Sequence, residues 1–109
     1  MTKIFISQPM TGLTQDEIME TRNKAIDKIT KIKSEEYPKD DYMFLDNIDF
    51  SPLDWDKLHP DLERLSKDIA ILSDADEMWL IGGWTNSRGC YCEMVCAIKY
   101  RIPIRTLIL

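Results

Sequence analysis

Two carboxylates, Asp68 and Glu93, stand at positions where helical spacing calls for apolar side chains. A helix opening after Ser87 puts Cys90, Glu93, Met94 and Ala97 on one face, at intervals of three and four residues. Asp68 follows Leu65 by three and precedes Leu72 by four, so it points with them toward a sheet. Burying a carboxylate is costly unless it has partners or a task. On spacing alone each acid is either an edge residue that reaches water or one of an inward pair. Two carboxyls about 5 Å apart suit displacement at a sugar carbon, one attacking the anomeric carbon and the other protonating the leaving group. A structural hydrogen-bond network fits two inward acids nearly as well.

Between the two acids lies a ligand-binding corner. Glu77–Ile81 is a short buried strand, Gly82–Asn86 a glycine-bearing turn, and Ser87 the opening of a helix. Gly83, with Gly82, lets the backbone take positive φ and come close to a ligand. The free N–H groups at a helix start, around Ser87 and Gly89, attract an anion or a polar group. Trp84 either stacks on a ligand ring or packs the turn. The loop after the first strand, Gln8-Pro9-Met10-Thr11-Gly12, is the natural second wall, because ligands of open parallel sheets lie outside the carboxyl ends of the strands.

The elements that must position these residues read as follows. Lys3–Ser7 is a first, central strand that contains Phe5 and Ser7. Thr14 and Glu17 form a capping box for a helix to about Lys33, with Ile18, Ala25, Ile26, Ile29 and Ile32 as its apolar stripe. Arg22 on the edge of that stripe is either a solvated flank or a reach over the first loop toward an anion. Tyr42–Leu45 is a short second strand, and Asp46–His59 a long loop without a clear period. His59, the only histidine, sits before Pro60 and is not placed in the site. Pro60–Ser73 is a helix with proline in its first turn and Leu62, Leu65, Ile69 and Leu72 as its core stripe. The helix after Ser87 runs to about Tyr100, and Ile104–Leu109 is a last, apolar strand. Strands alternating with helices predict an α/β, doubly wound, three-layer sandwich on a mostly parallel sheet of four to five strands.

The 109 residues suffice for one domain and one core. With 44% hydrophobic and 30% charged residues, a net charge of −5 and no basic run, a nucleic-acid polymer is not an expected partner, whereas a single small nucleotide is compatible. No apolar run has the length of a membrane span, and no leader pattern precedes the first strand, so the expected location is cytoplasmic. Cys90, Cys92 and Cys96 lack zinc-site spacing and histidine partners, so they are expected to be reduced thiols with no metal bound.

The run Ile4-Phe-Ile-Ser-Gln-Pro-Met-Thr-Gly12, Asp68 ahead of Ser73-Asp-Ala-Asp76, then Gly82-Gly-Trp-Thr-Asn-Ser87, Gly89, Glu93, Ala97 and Ile102-Pro103 resembles the nucleoside 2-deoxyribosyltransferase-like family. The resemblance spans nearly the whole chain apart from Ser34–His59, and its most specific part is Ser87 to Glu93. It implies a doubly wound fold, a homodimer whose subunits complete each other's sites, and cofactor-free N-glycosidic chemistry. By the same resemblance Glu93 is the nucleophile and Asp68 the acid acting at the base. The same resemblance implies that Phe5, Ser7, Pro9, Thr11, Gly12, Gly83, Trp84, Ser87 and Gly89 line the substrate. Ser87 stands where the transferases carry Asp and the nucleoside 5′-monophosphate hydrolases carry Ser, which favours a nucleotide. Phe5 replaces a frequent Tyr, and Pro9 replaces a serine of the nucleotide hydrolases.

The expected function is cleavage or transfer of the N-glycosidic bond of a (deoxy)nucleoside 5′-monophosphate or nucleoside. The alternative is a nucleotide-binding module without turnover, which would keep its affinity when Glu93 is replaced by Ala. A purely structural dimer is a third reading, marked by no nucleotide-dependent change in melting temperature.

Overall fold

A computed structural model describes residues 1–109. Its elements are β1 (Thr2–Ser7), α1 (Gln15–Glu36), β2 (Tyr42–Phe44), α2 (Pro60–Leu72), β3 (Glu77–Ile81), a single 3-10 turn (Trp84–Asn86), α3 (Arg88–Lys99) and β4 (Ile104–Leu107). The four strands form one all-parallel sheet in the order β2-β1-β3-β4. Parallel strands require crossover helices, and these cover both faces of the sheet.

Alternation along the strands divides the core in two. Ile4, Ile6, Trp79 and Ile81 face α1, where Ala25 and Ile29 meet them. Phe5, Met78 and Leu80 face the other way, against Leu72 of α2 and Cys90 and Ala97 of α3. The architecture is therefore a doubly wound, three-layer sandwich with four strands and no fifth. After β1 the chain turns to β2 on one side and then returns past β1 to β3 on the other. The carboxyl ends of β1 and β3 thus flank the point where strand order reverses, the customary ligand position in such sheets.

Local signals set the element ends. The Thr14 side chain accepts from the Glu17 amide and the Glu17 carboxylate accepts from the Thr14 amide, each at 3.1 Å, a complete capping box. Pro60 opens α2, and the Ser87 hydroxyl accepts from the Cys90 amide at 3.2 Å to cap α3. Several expected features differ. The α1 helix continues past Lys33 to Glu36: the buried Lys33 pairs with Glu77 at 2.7 Å, and Glu36 pairs with Arg105 at the surface at 2.9 Å. The last strand ends at Leu107 and is not wholly apolar: Arg105 lies 4.4 Å over the Trp79 ring, and Thr106 is exposed. Leu62, expected in the core stripe of α2, lies in the first turn of that helix and is 61% exposed. No helix is long and apolar enough to cross a membrane.

Candidate active site at the strand switch point

Ser7 is the last residue of β1 and shares a sheet face with Phe5, so its hydroxyl points to the side that α2 and α3 cover. Glu93, in the second turn of α3, is 5% exposed there. The two meet directly: Ser7 Oγ donates to Glu93 Oε1 at 2.6 Å. Such a short bond to a carboxyl oxygen inside the protein is of the strong, charge-assisted kind. No lysine or arginine pairs with Glu93. Burial raises its pKa to about 7, the Ser7 hydrogen bond opposes that rise, and the charge of Asp68 adds to it.

Asp68 is half-buried on α2. Burial raises its pKa to about 6, with Arg64 one turn back opposing and Asp49 adding to the rise. The charge of Asp68 weighs on Glu93, so the two titrate as a linked pair. Asp49 belongs to the long loop, and the Arg64 guanidinium donates to the Ser51 carbonyl of the same loop. The segment after β2 is thereby docked onto α2 next to Asp68.

The two walls expected around the acids touch each other. Gly83 has φ +93, and a Cβ placed there would stand 3.6 Å from the Pro9 ring, so the first loop lies against the glycine turn. Gly89 in the first turn of α3 has nothing within 4 Å of where a Cβ would be. Packing inside the protein thus gives no reason for a glycine at that place, and the space before it is open. Thr11 and Gly12 are exposed at the tip of the first loop. Trp84 is half-buried and packs against the α2/α3-side core. Phe5 is fully buried beneath Ser7 and reaches the site only as its floor. The Ser87 hydroxyl is engaged as the cap of α3.

Three buried polar residues surround the end of β1, and of these only Arg22, on the edge of the α1 stripe, carries a periodic signal in the sequence. The Arg22 guanidinium donates to Asn47 Oδ1 at 3.0 Å and to the Leu45 carbonyl at 2.8 Å, and Asn47 Nδ2 donates to the Ile6 carbonyl at 2.9 Å. Arg22 is only 6% exposed, so it is neither a solvated flank nor a reach toward an anion; it ties α1 to the segment after β2. Burial lowers its pKa, and Asp46 opposes that. Gln8 Nε2 donates to the Ile18 carbonyl at 3.0 Å, which fixes the start of the first loop to α1.

Two hollows are lined by neither carboxyl. One of about 660 Å³ opens at the carboxyl ends of β3 and β4, with Thr21, Gly82, Gly83, Trp84, Leu107 and Ile108 in its wall. The other, about 500 Å³, is at the amino ends of β3 and β4, between the last turns of α2 and α3. No group of three His, Cys, Asp or Glu side chains is arranged to hold a metal ion, and Cys90, Cys92 and Cys96 are free thiols. Comparison of the chain with protein-family models, with curated proteins and with solved structures gives no match.

Proposed function

We propose that the protein cleaves or transfers the N-glycosidic bond of a nucleoside or a (deoxy)nucleoside 5′-monophosphate, with Glu93 as nucleophile and Asp68 as general acid. The observation that carries this reading is the buried Glu93 carboxyl at the strand switch point. It has no cationic partner, one oxygen is held by Ser7, and Asp68 lies near enough for its charge to be felt. A buried acid without a counterion is expensive to keep as a structural element and useful as a reagent. The likeness of the Ile4–Gly12 and Ser87–Glu93 segments to nucleoside 2-deoxyribosyltransferase-like proteins adds the substrate class.

In this reading a Glu93 oxygen forms a bond to the anomeric carbon as the bond from that carbon to the base nitrogen breaks. The electron pair goes to the base, and the Asp68 carboxylic acid gives it a proton. Water, losing its proton to the Asp68 carboxylate, or the nitrogen of a second base then displaces the sugar from Glu93. The step needs Glu93 ionised while Asp68 keeps its proton. This arrangement is one of the two forms of the singly charged pair. The positive charge that develops on the sugar ring beside Glu93 favours it. Turnover is accordingly greatest between pH 6 and 7, where the pair carries one charge.

The second reading is a nucleotide-binding module without turnover, whose affinity rests on Trp84, Ser87 and the backbone and not on Glu93. One experiment separates the two. The protein and Glu93→Ala are incubated with ribo- and deoxynucleosides and their 5′-monophosphates, with and without an acceptor base, and the products are separated by chromatography. Free base or an exchanged nucleoside from the unaltered protein alone supports N-glycosidic chemistry. No product, with a nucleotide-dependent rise in melting temperature that survives Glu93→Ala, supports the binding module.

A further inference from the structure

We infer that Ser7 is a positioning residue for Glu93: it holds Oε1 and so leaves Oε2 as the oxygen that attacks the substrate. The inference rests on the proposed role of Glu93 and assigns a task to a neighbour, and its central observation is the 2.6 Å hydrogen bond between two buried side chains. Oε1 is engaged from the strand side. Oε2 carries no hydrogen bond in this structure. The only side-chain nitrogen or oxygen that is both buried and without a partner is Gln8 Oε1. Glu93 Oε2 therefore keeps a path to solvent, and it is the oxygen a ligand can meet.

The surroundings of Ser7 fix the direction of its proton. Burial keeps the neighbouring Cys90 thiol in the S–H form, so no thiolate competes with Glu93 for the Ser7 proton. A hydroxyl that donates to a carboxylate favours the ionised form, which is the nucleophilic one. Phe5, one turn of the pleat below on the same face, has no hydroxyl to offer, so Ser7 is the β1 residue able to do this. The charged and titratable groups around Glu93 are Cys90 on its own helix and Asp68 on α2, with Arg64 and Asp49 acting on Asp68. None of these donates to Oε1.

The test uses Ser7→Ala and Ser7→Thr in the full chain. The carboxyl of Glu93 is titrated directly by carbon NMR of glutamate-labelled protein, with Glu93→Gln identifying its signal. Loss of the donor in Ser7→Ala moves the Glu93 titration to higher pH, and Ser7→Thr, which keeps a hydroxyl, moves it back. Where the added methyl of threonine prevents folding, Ser7→Cys serves instead and gives an intermediate position, since a thiol is a weaker donor. With a substrate from the nucleoside panel, Ser7→Ala lowers kcat about 10- to 100-fold, the worth of a hydrogen bond to a charged group. KM stays within about twofold, because positioning of the nucleophile is felt in the transition state, and the acid limb of the pH profile moves upward with the titration. A Glu93 titration unchanged in Ser7→Ala overturns the inference whether or not the protein turns anything over. A shifted titration in a protein inactive on the whole panel upholds the Ser7–Glu93 link and counts against the glycosidic reading alone.

Discussion

Gly89 shows how a single residue separates stability from function in this site. A glycine in the first turn of a helix costs about 0.5–1 kcal/mol relative to alanine, through the freedom of the unfolded chain. Nothing inside the protein occupies the space a side chain would take. Gly89→Ala is therefore expected to raise the melting temperature by a few degrees while weakening base release or nucleoside binding, because the methyl enters the space before the α3 N-terminus. Thermal unfolding and substrate titration of the same preparation check both halves. A stabilised variant with undiminished binding and turnover would mean that no ligand approaches Gly89. The residue types were legible in the sequence at this scale: Glu93 and Asp68 were visible as acids on apolar faces. The Ser7 hydrogen bond was not, since the strand pattern gives the direction of the hydroxyl but not its partner 86 positions away.

At the scale of elements, what could be read was what local rules encode. The Thr14–Glu17 capping box, the proline start of α2 and the whole of β3 follow from residues within a few positions of one another. What could not be read depends on distant partners. Arg22 and Asn47 lie 25 positions apart, and Asn47 and Ile6 41 apart, yet together they join α1, β1 and the segment after β2. Leu62 was misplaced because periodicity gives the face of a helix and not how much of that face is covered. The Arg22–Asn47 link carries a prediction of its own. Asn47→Ala leaves the buried guanidinium short of an acceptor and the Ile6 carbonyl short of a donor, and is expected to cost about 2–4 kcal/mol in denaturant unfolding. Arg22→Met is expected to cost less in the Asn47→Ala background than alone, with a coupling of about 0.5–3 kcal/mol in the double-mutant cycle. Additive effects would show that the two side chains act independently.

For the whole molecule, the carboxyl pair sets how stability depends on pH. Glu93 has a folded pKa raised from 4.5 to about 7 and Asp68 one raised from 3.8 to about 6. The folded state therefore holds protons that the unfolded chain has already released, and stability falls as pH rises through this range. For Glu93, nearly all buried, the loss by pH 8 is roughly 3 kcal/mol; Asp68 adds less, because water screens it. Glu36 and Asp49 act in the opposite sense. Hydrogen bonds from Arg105 and from Ser51 hold their carboxyls below the ordinary values of 4.5 and 3.8, so their contribution is present above those values and lost as pH falls through the lower folded ones. Together these trends place the highest melting temperature near pH 5, with a decline on either side. The alkaline decline belongs to the pair, and Glu93→Gln with Asp68→Asn removes it, since both amides keep the size of the acids and neither can ionise. The variant is expected to melt on the order of 10 °C above the unaltered protein at pH 8 and within a few degrees of it at pH 4. Melting curves of the two proteins from pH 4 to 8 make the comparison. Parallel curves across that range would mean that Glu93 and Asp68 ionise as freely in the folded protein as in the unfolded chain, and with that the case for a buried reactive pair would be lost.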